Sequence, residues 1–269
     1  DSQLAAIDKE LAKVGPLSWY SSDFQEKFKP ADGDQSNWRV IRFPIESVAS
    51  GLTSKMRQVS ESLRLTKKQI FLITGMAGQG KTNFVCNLVE SQLAAFEVPC
   101  VYVPGRELNR FPIGARILSF VVNNRYSPRF ENLHDCLKSF NEIAKAVGKP
   151  FMIIIDGINE VSSLDEFRGE LCDFCNAVCQ YEYVKTVITC RNEFFEAKFS
   201  SILDEPFRAK VHRVNELRSH MSERSKEKML RAYLRHFKIS GDIVGYAEDF
   251  LQDDLLMLRI FCEQNQGRS

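Results

Sequence analysis

The sequence predicts an α/β fold of three layers, a parallel β-sheet flanked by helices, on three observations. Between Gln69 and Asn215, short apolar runs alternate with longer amphipathic segments, the pattern of successive β-α-β units. The first run, Ile70-Phe71-Leu72-Ile73-Thr74, passes straight into a glycine-rich turn, Gly75-Met76-Ala77-Gly78-Gln79-Gly80-Lys81-Thr82. A later run, Phe151-Met152-Ile153-Ile154-Ile155, ends on the carboxylate of Asp156.

Residues 1–64 read as a helical lead-in. Leu4, Ile7, Leu11 and Val14 recur at helical spacing until Gly15-Pro16 breaks the pattern, and a polar stretch follows over 29–37. A second helix is expected over 45–63, where Ile45, Val48, Leu52, Met56, Val59 and Leu63 form a stripe that needs a partner surface. The core follows over 65–215, with strands predicted over 70–74, 100–103, 151–155 and 185–189, and a weaker one over 210–214. Between them, helical spacing predicts helices over 81–96, 113–123, 133–147 and 164–181. After Asn215 the strands stop. Residues 216–269 then read as a small helical domain: Met221, Met229, Tyr233, Leu234 and Phe237 recur up to Gly241, and a final helix carries Phe250, Leu251, Leu255, Leu256, Leu258, Ile260 and Phe261, apolar enough to be mostly buried. The chain begins at Asp1 without a methionine and stops at Gly267-Arg268-Ser269 soon after a helical pattern, which predicts a piece of a longer protein.

Composition narrows the partners. With 44% hydrophobic and 26% charged residues the chain reads as an ordinary soluble protein. A formal net charge of +1 gives no general attraction to nucleic acid or to an anionic membrane. The one local exception runs from Arg208 to Lys238, where ten Lys or Arg, among them Arg224, Lys226, Lys228, Arg231 and Arg235, face three Glu; such a run reads as a solvated helix face. No stretch approaches the roughly eighteen apolar residues of a membrane span, and a cytoplasmic location is the default. The eight cysteines sit largely inside apolar runs and read as reduced thiols. Cys172, Cys175 and Cys179 have a spacing that could present three thiolates to a metal, but the same spacing is the core stripe of a helix, and no fourth Cys or His lies near.

The turn after the first strand carries chemistry. It fits G-x-x-x-x-G-K-[ST], the P-loop pattern, in the strand-to-helix context such a loop requires. Phosphate oxygens need converging backbone N–H groups; glycines allow the loop to wrap them, and the next helix turns its positive end toward the anion. Gly75, Met76, Ala77, Gly78, Gln79, Gly80, Lys81, Thr82 and the following Asn83 are thus the expected nucleotide-binding residues. Lys81 supplies a point charge to the β- and γ-phosphates, and the Thr82 hydroxyl is placed for Mg²⁺. Asp156, at the carboxyl end of its strand, belongs in the crevice beside the loop and can hold the metal through water, the Walker B pattern. Glu160, four residues on, is the candidate base for an attacking water, and Arg191, after the 185–189 strand, can reach the terminal phosphate.

Taken together, GMAGQGKT, FMIIIDGINE and VITCR resemble the NACHT branch of the STAND class of P-loop NTPases. Gly157 and Glu160 match the family's small residue after the Walker B Asp and its later acids. Gly105-Arg106-Glu107-Leu108 and the closing Leu255-Leu256-Met257-Leu258 agree as well. The resemblance implies an ASCE/AAA-like P-loop NTPase with sheet order 5-1-4-3-2, a NACHT core over 65–215, and a small helical domain over 216–269 cut before any winged-helix or sensor domain. It also implies ATP and ADP as ligands, Mg²⁺ as cofactor, and ATP-dependent self-association that controls an effector, with effector and sensor outside this chain. The wording of the motifs is most similar to bacterial antiviral (Avs-type) STAND proteins. Asn159 stands where members often carry Asp, which implies slow hydrolysis with Glu160 as base, and Asp254 stands where the family usually has a proline near the adenine.

Two other classes use the same motifs. An AAA-like motor on nucleic acid would draw on the basic segment 208–238, although Gly157 stands where such motors commonly have an acid. A scaffold would hold its nucleotide without hydrolysing it. A GTPase is disfavoured, since no Asn-Lys-x-Asp segment occurs.

Overall fold

The structure is a computed structural model that describes residues 54–55, 58–123, 130, 132–217, 221–240 and 243–267. The helix expected over 4–14 and most of that expected over 45–63 lie outside the described residues. Residues 58–66 are helical. Lys68–Ser269 forms a compact unit of its own.

That unit is built on five strands: β1 (Ile70–Gly75), β2 (Cys100–Pro104), β3 (Phe151–Asp156), β4 (Val184–Arg191) and β5 (Val211–Asn215). All pair in parallel, in the order β2-β3-β4-β1-β5, which is the predicted order read from the other edge. The two strands that end at the motifs, β1 and β3, both neighbour β4, so Gly75, Asp156 and Arg191 come together at the carboxyl ends of the strands.

The apolar runs are continuous because both faces of the sheet are covered. Alternation along β3 sends Phe151, Ile153 and Ile155 into a large core with Val101 and Val103, and sends Ile154 to the opposite face with Ile73 and Val187. Over the second face lies α1 (Lys81–Asn87), which continues as a π-helical turn (Leu88–Leu93) and buries Val85 and Leu93. After the short α2 (Gly105–Leu108), helices α3 (Arg116–Asn123), α4 (Leu133–Val147) and α5 (Leu164–Val178) cover the first face through Phe120, Leu137, Phe140, Phe167 and Leu171. The layers are therefore helix, sheet, helix. Cys175 lies fully buried in α5 with Cys172 and Cys179 at the edges of the same core, as the core-stripe reading requires. All eight cysteines are free thiols.

Some boundaries differ from the periodicity, each for a visible reason. Helix α3 begins at Arg116 rather than 113 because the Glu170 carboxylate accepts hydrogen bonds from the backbone N–H of Gly114 (2.5 Å) and of Arg116 (3.2 Å), capping the helix from α5. Among the described residues the tail holds three helices, α6 (Glu223–His236), α7 (Tyr246–Asp253) and α8 (Leu255–Gln264). The expected final helix is broken at Asp254, whose extended backbone ends α7 while its side chain accepts from the N–H of Leu256 and Met257 to cap α8. Nor is it mostly buried: Leu258 and Cys262 join Leu230 and Leu251 in a small core, whereas Phe250, Leu256 and Ile260 stay exposed. The expected stop at Gly241 lies outside the described residues. Among the described residues, no helix is long and apolar enough to cross a membrane.

Candidate nucleotide-binding site

Between β1 and α1 the chain turns through a loop in which Gly78 and Gly80 both have φ of +76°, a region side-chain-bearing residues rarely enter. There is also no room for a side chain. A Cβ on Gly78 would sit 2.7 Å from Leu256 Cβ, and one on Gly80 would sit 2.9 Å from Leu255 Cδ2, so the first turn of α8 lies directly on the loop. Gln79 Oε1 accepts the Met76 N–H (3.0 Å) and holds the loop closed on itself. Lys81 Nζ lies over the same loop, donating to the carbonyls of Gly75 (2.8 Å) and Met76 (2.6 Å). Burial pulls the Lys81 ammonium below its ordinary pKa.

At the end of β3, Asp156 is 7% exposed and both its oxygens are engaged. Oδ1 accepts from the Thr189 hydroxyl (2.5 Å) and Oδ2 from the Tyr102 hydroxyl (3.0 Å). Thr189 Oγ1 in turn accepts the Gly157 N–H (2.7 Å), tying β4 to the turn that follows Asp156. Gly157, at φ +76°, lets the chain bend there into a single turn of 3₁₀ helix, Ile158–Glu160. Its carbonyl also lies so close to Gly105 that no side chain would fit at that position.

Several groups fix this turn. Asn159 Oδ1 accepts the backbone N–H of Arg191 (3.1 Å) and so joins the turn after β3 to the end of β4. Asn109 donates to the Glu160 carbonyl (3.0 Å) and accepts from Ser162 N–H (2.7 Å) and hydroxyl (2.9 Å). Arg116, 2% exposed, donates to the Ser162 carbonyl (2.8 Å), pairs with Glu170 at 3.6 Å and lies over the Phe167 ring.

These elements enclose a cleft of about 230 Å³. Its lining combines residues 77–83 with Gly157, Asn159, Glu160, Thr189 and Arg191, and with Tyr233, Leu255, Leu256 and Arg259 from α6 and α8. The structure thus brings Lys81, Thr82, Glu160 and Arg191 to one cavity. Asp156 is not in its open lining but lies beneath, bonded to Thr189, which is.

Thr82 and Asp156 offer hard oxygen donors of the kind Mg²⁺ takes, and the loop beside them is a cradle that a Cβ would fill. Among the described residues, no group of three His, Cys, Asp or Glu could hold a metal alone. Mg²⁺ usually takes one or two protein oxygens and completes its shell with phosphate oxygens and water.

Periodicity alone does not single out Tyr102, Thr189, Asn109 or Arg259, and it marks Tyr233 only as an apolar position of a helix. For the first two a signal existed, a hydroxyl inside an otherwise apolar strand. The basic segment, by contrast, is partly neutralised: Lys226 pairs with Asp253 (2.8 Å) and Glu223 (3.0 Å), Arg231 with Glu227 (2.6 Å), and Arg213 with Glu196 (2.7 Å).

The glycine-cradled loop after β1, the carboxylate ending the second strand away and the 2-3-4-1-5 parallel order decide the class of fold. It is the P-loop NTPase fold. No family model matches the chain, and no curated protein matches it. Among solved structures it is similar to a Walker-type ATPase of Pyrococcus abyssi (15% identity over 77% of this chain and 64% of that one, TM-score 0.48). It is similar also to AMPPCP-bound DnaA of Aquifex aeolicus (14% identity, 78% and 59%, TM-score 0.45). A third is the ORC2 protein of Aeropyrum pernix, solved as ADPNP-ADP complexes (17% identity, 75% and 58%, TM-score 0.46). The chain therefore spans about three fifths of the length of these structures. All three TM-scores lie below one half, and the candidate site rests on this chain's own loop, carboxylate and arginine.

Proposed function

We propose that this chain binds ATP with Mg²⁺ and is the nucleotide module of a NACHT-type STAND signalling protein, in which triphosphate promotes self-association that controls an effector in antiviral defence. The observation that carries the reading is the cleft itself: the P-loop, Glu160 and Arg191 line one cavity, and the first turn of α8 rests on Gly78 and Gly80. A group seated on that loop is sensed by the helical segment because there is no slack between them.

The residues divide the work. Backbone N–H groups of 77–82 and Lys81 Nζ hold the phosphates, and Arg191 meets the terminal one, so that its loss changes what Arg191 can contact. Thr82 and Asp156 would hold Mg²⁺, which when bound neutralises charge on the phosphate oxygens. Glu160 is the only carboxylate in the cleft lining among the described residues, and it accepts the proton of the attacking water. Asn159, an amide already bonded to Arg191, offers no second base, and slow turnover follows. The motif resemblance supports adenine as the base and STAND signalling as the context. The ion pairs that occupy Lys226, Arg231 and Arg213 speak against a motor that tracks nucleic acid with this segment.

The test is the size of the full-length protein by light scattering with ATP, ADP and a non-hydrolysable analogue. Assembly with either triphosphate and not with ADP is expected; indifference to the nucleotide refutes the switch.

A further inference from the structure

The Tyr102 hydroxyl plays no part in the phosphate chemistry above, yet it occupies a defined place. Tyr102 stands on β2 opposite Ile154 in the register, so Asp156 lies two residues further along the neighbouring strand and on the same face of the sheet. From there the phenol reaches Asp156 Oδ2 at 3.0 Å. Its oxygen also accepts from the Cys86 thiol at 3.9 Å. Cys86 lies on α1 four residues after Thr82, and residues at that spacing share a helix face. The side chain packs against the core beneath α1 that holds Ile154 and Val85.

The phenol is thus wedged between the helix that carries Thr82 and the strand that carries Asp156, with a hydrogen bond to each. A phenol ordinarily keeps its proton at neutral pH, so the hydroxyl can donate to the carboxylate. With Thr189 on Oδ1 and Tyr102 on Oδ2, the carboxylate plane cannot rotate without breaking a bond. Each oxygen keeps a second lone pair, so these bonds orient the carboxylate without using up its acceptor capacity.

We propose that Tyr102 is a positioning residue for the cation site, its hydroxyl setting the orientation of Asp156 and the spacing between Asp156 and Thr82. This rests on the reading of Thr82 and Asp156 as holders of Mg²⁺. Hydrogen-bond partners of metal-holding groups typically change metal affinity about 10- to 100-fold when removed.

The experiment measures binding of a fluorescent ATP analogue to this chain, in EDTA and across a Mg²⁺ series, for wild type, Tyr102→Phe and Asp156→Asn, with urea unfolding to confirm that each variant is folded. In Tyr102→Phe the half-saturating Mg²⁺ concentration rises about 10- to 100-fold while affinity in EDTA is unchanged. If Asp156→Asn raises it and Tyr102→Phe does not, the positioning role is overturned and the cation site stands. If neither variant shifts it, both are overturned. Equal loss of affinity with and without Mg²⁺ in Tyr102→Phe would make the phenol a packing group and also overturn the proposal.

Discussion

Replacing Thr189 by valine keeps the shape and β-branching of the side chain and removes one oxygen. That oxygen is 1% exposed by residue, donates to Asp156 Oδ1 at 2.5 Å and accepts the Gly157 N–H at 2.7 Å, so the substitution leaves two polar groups short of a partner. A hydrogen bond to a charged group contributes about 1.5–3 kcal/mol and a neutral one about 0.5–1.5 kcal/mol, which puts the expected loss at about 2–4.5 kcal/mol. A matched control lies on the same strand. Thr186 is fully buried and donates one neutral bond, to the Ile153 carbonyl at 2.9 Å, so Thr186→Val is expected to cost about 1 kcal/mol. Urea unfolding of both variants beside wild type measures the two losses. Equal losses, both about 1 kcal/mol or less, would refute the view that Thr189 is the joint between Asp156 and the turn that carries Glu160.

Other consequences are equally direct. Gly78→Ala forces a left-handed residue, at a cost of about 1–2 kcal/mol, and drives a Cβ into Leu256, so it should lower the unfolding midpoint and weaken nucleotide binding together; unchanged binding would separate α8 from the loop. Arg116→Met leaves the Glu170 carboxylate without its buried partner and should cost about 3–5 kcal/mol in urea unfolding, far more than a surface arginine. Glu160→Gln should retain ATP affinity while abolishing phosphate release in single-turnover assays; retained release would remove Glu160 as the base. Burial pushes the Cys190 and Cys136 thiols up to about 12 from an ordinary 9.0, so the folded state favours the protonated form. Their contribution is full below pH 9.0 and lost as the pH rises toward 12, and the urea midpoint should fall across that window, less so in Cys190→Ala.

What could be read in the sequence was local. The strand Ile70–Gly75, the loop after it and Asp156 at the end of Phe151–Asp156 announce themselves by apolar runs that end on chemistry, and the structure brings them together at the carboxyl ends of the strands. Glu160 and Arg191 were legible for the same reason and line one cleft. The start of α3 was not, because its cap is Glu170, more than fifty residues away in the chain. Nor was the break in the tail: Asp254 sits within an apolar pattern that periodicity joins into one helix, and only its capping bonds show two. Tyr102 and Thr189 were visible as hydroxyls in strands, but their meaning depends on register, which places each against Asp156 from a different neighbour. Asn109 and Arg116 act through backbone carbonyls, and no side-chain pattern reports those.

The central claim is that the Gly75–Thr82 loop binds the phosphates of ATP. Calorimetric titration of ATP·Mg²⁺ into this chain and into Lys81→Ala tests it most directly. Saturable binding by the wild type at one site, lost in Lys81→Ala, is the predicted result. Equal affinity in the two proteins would contradict it.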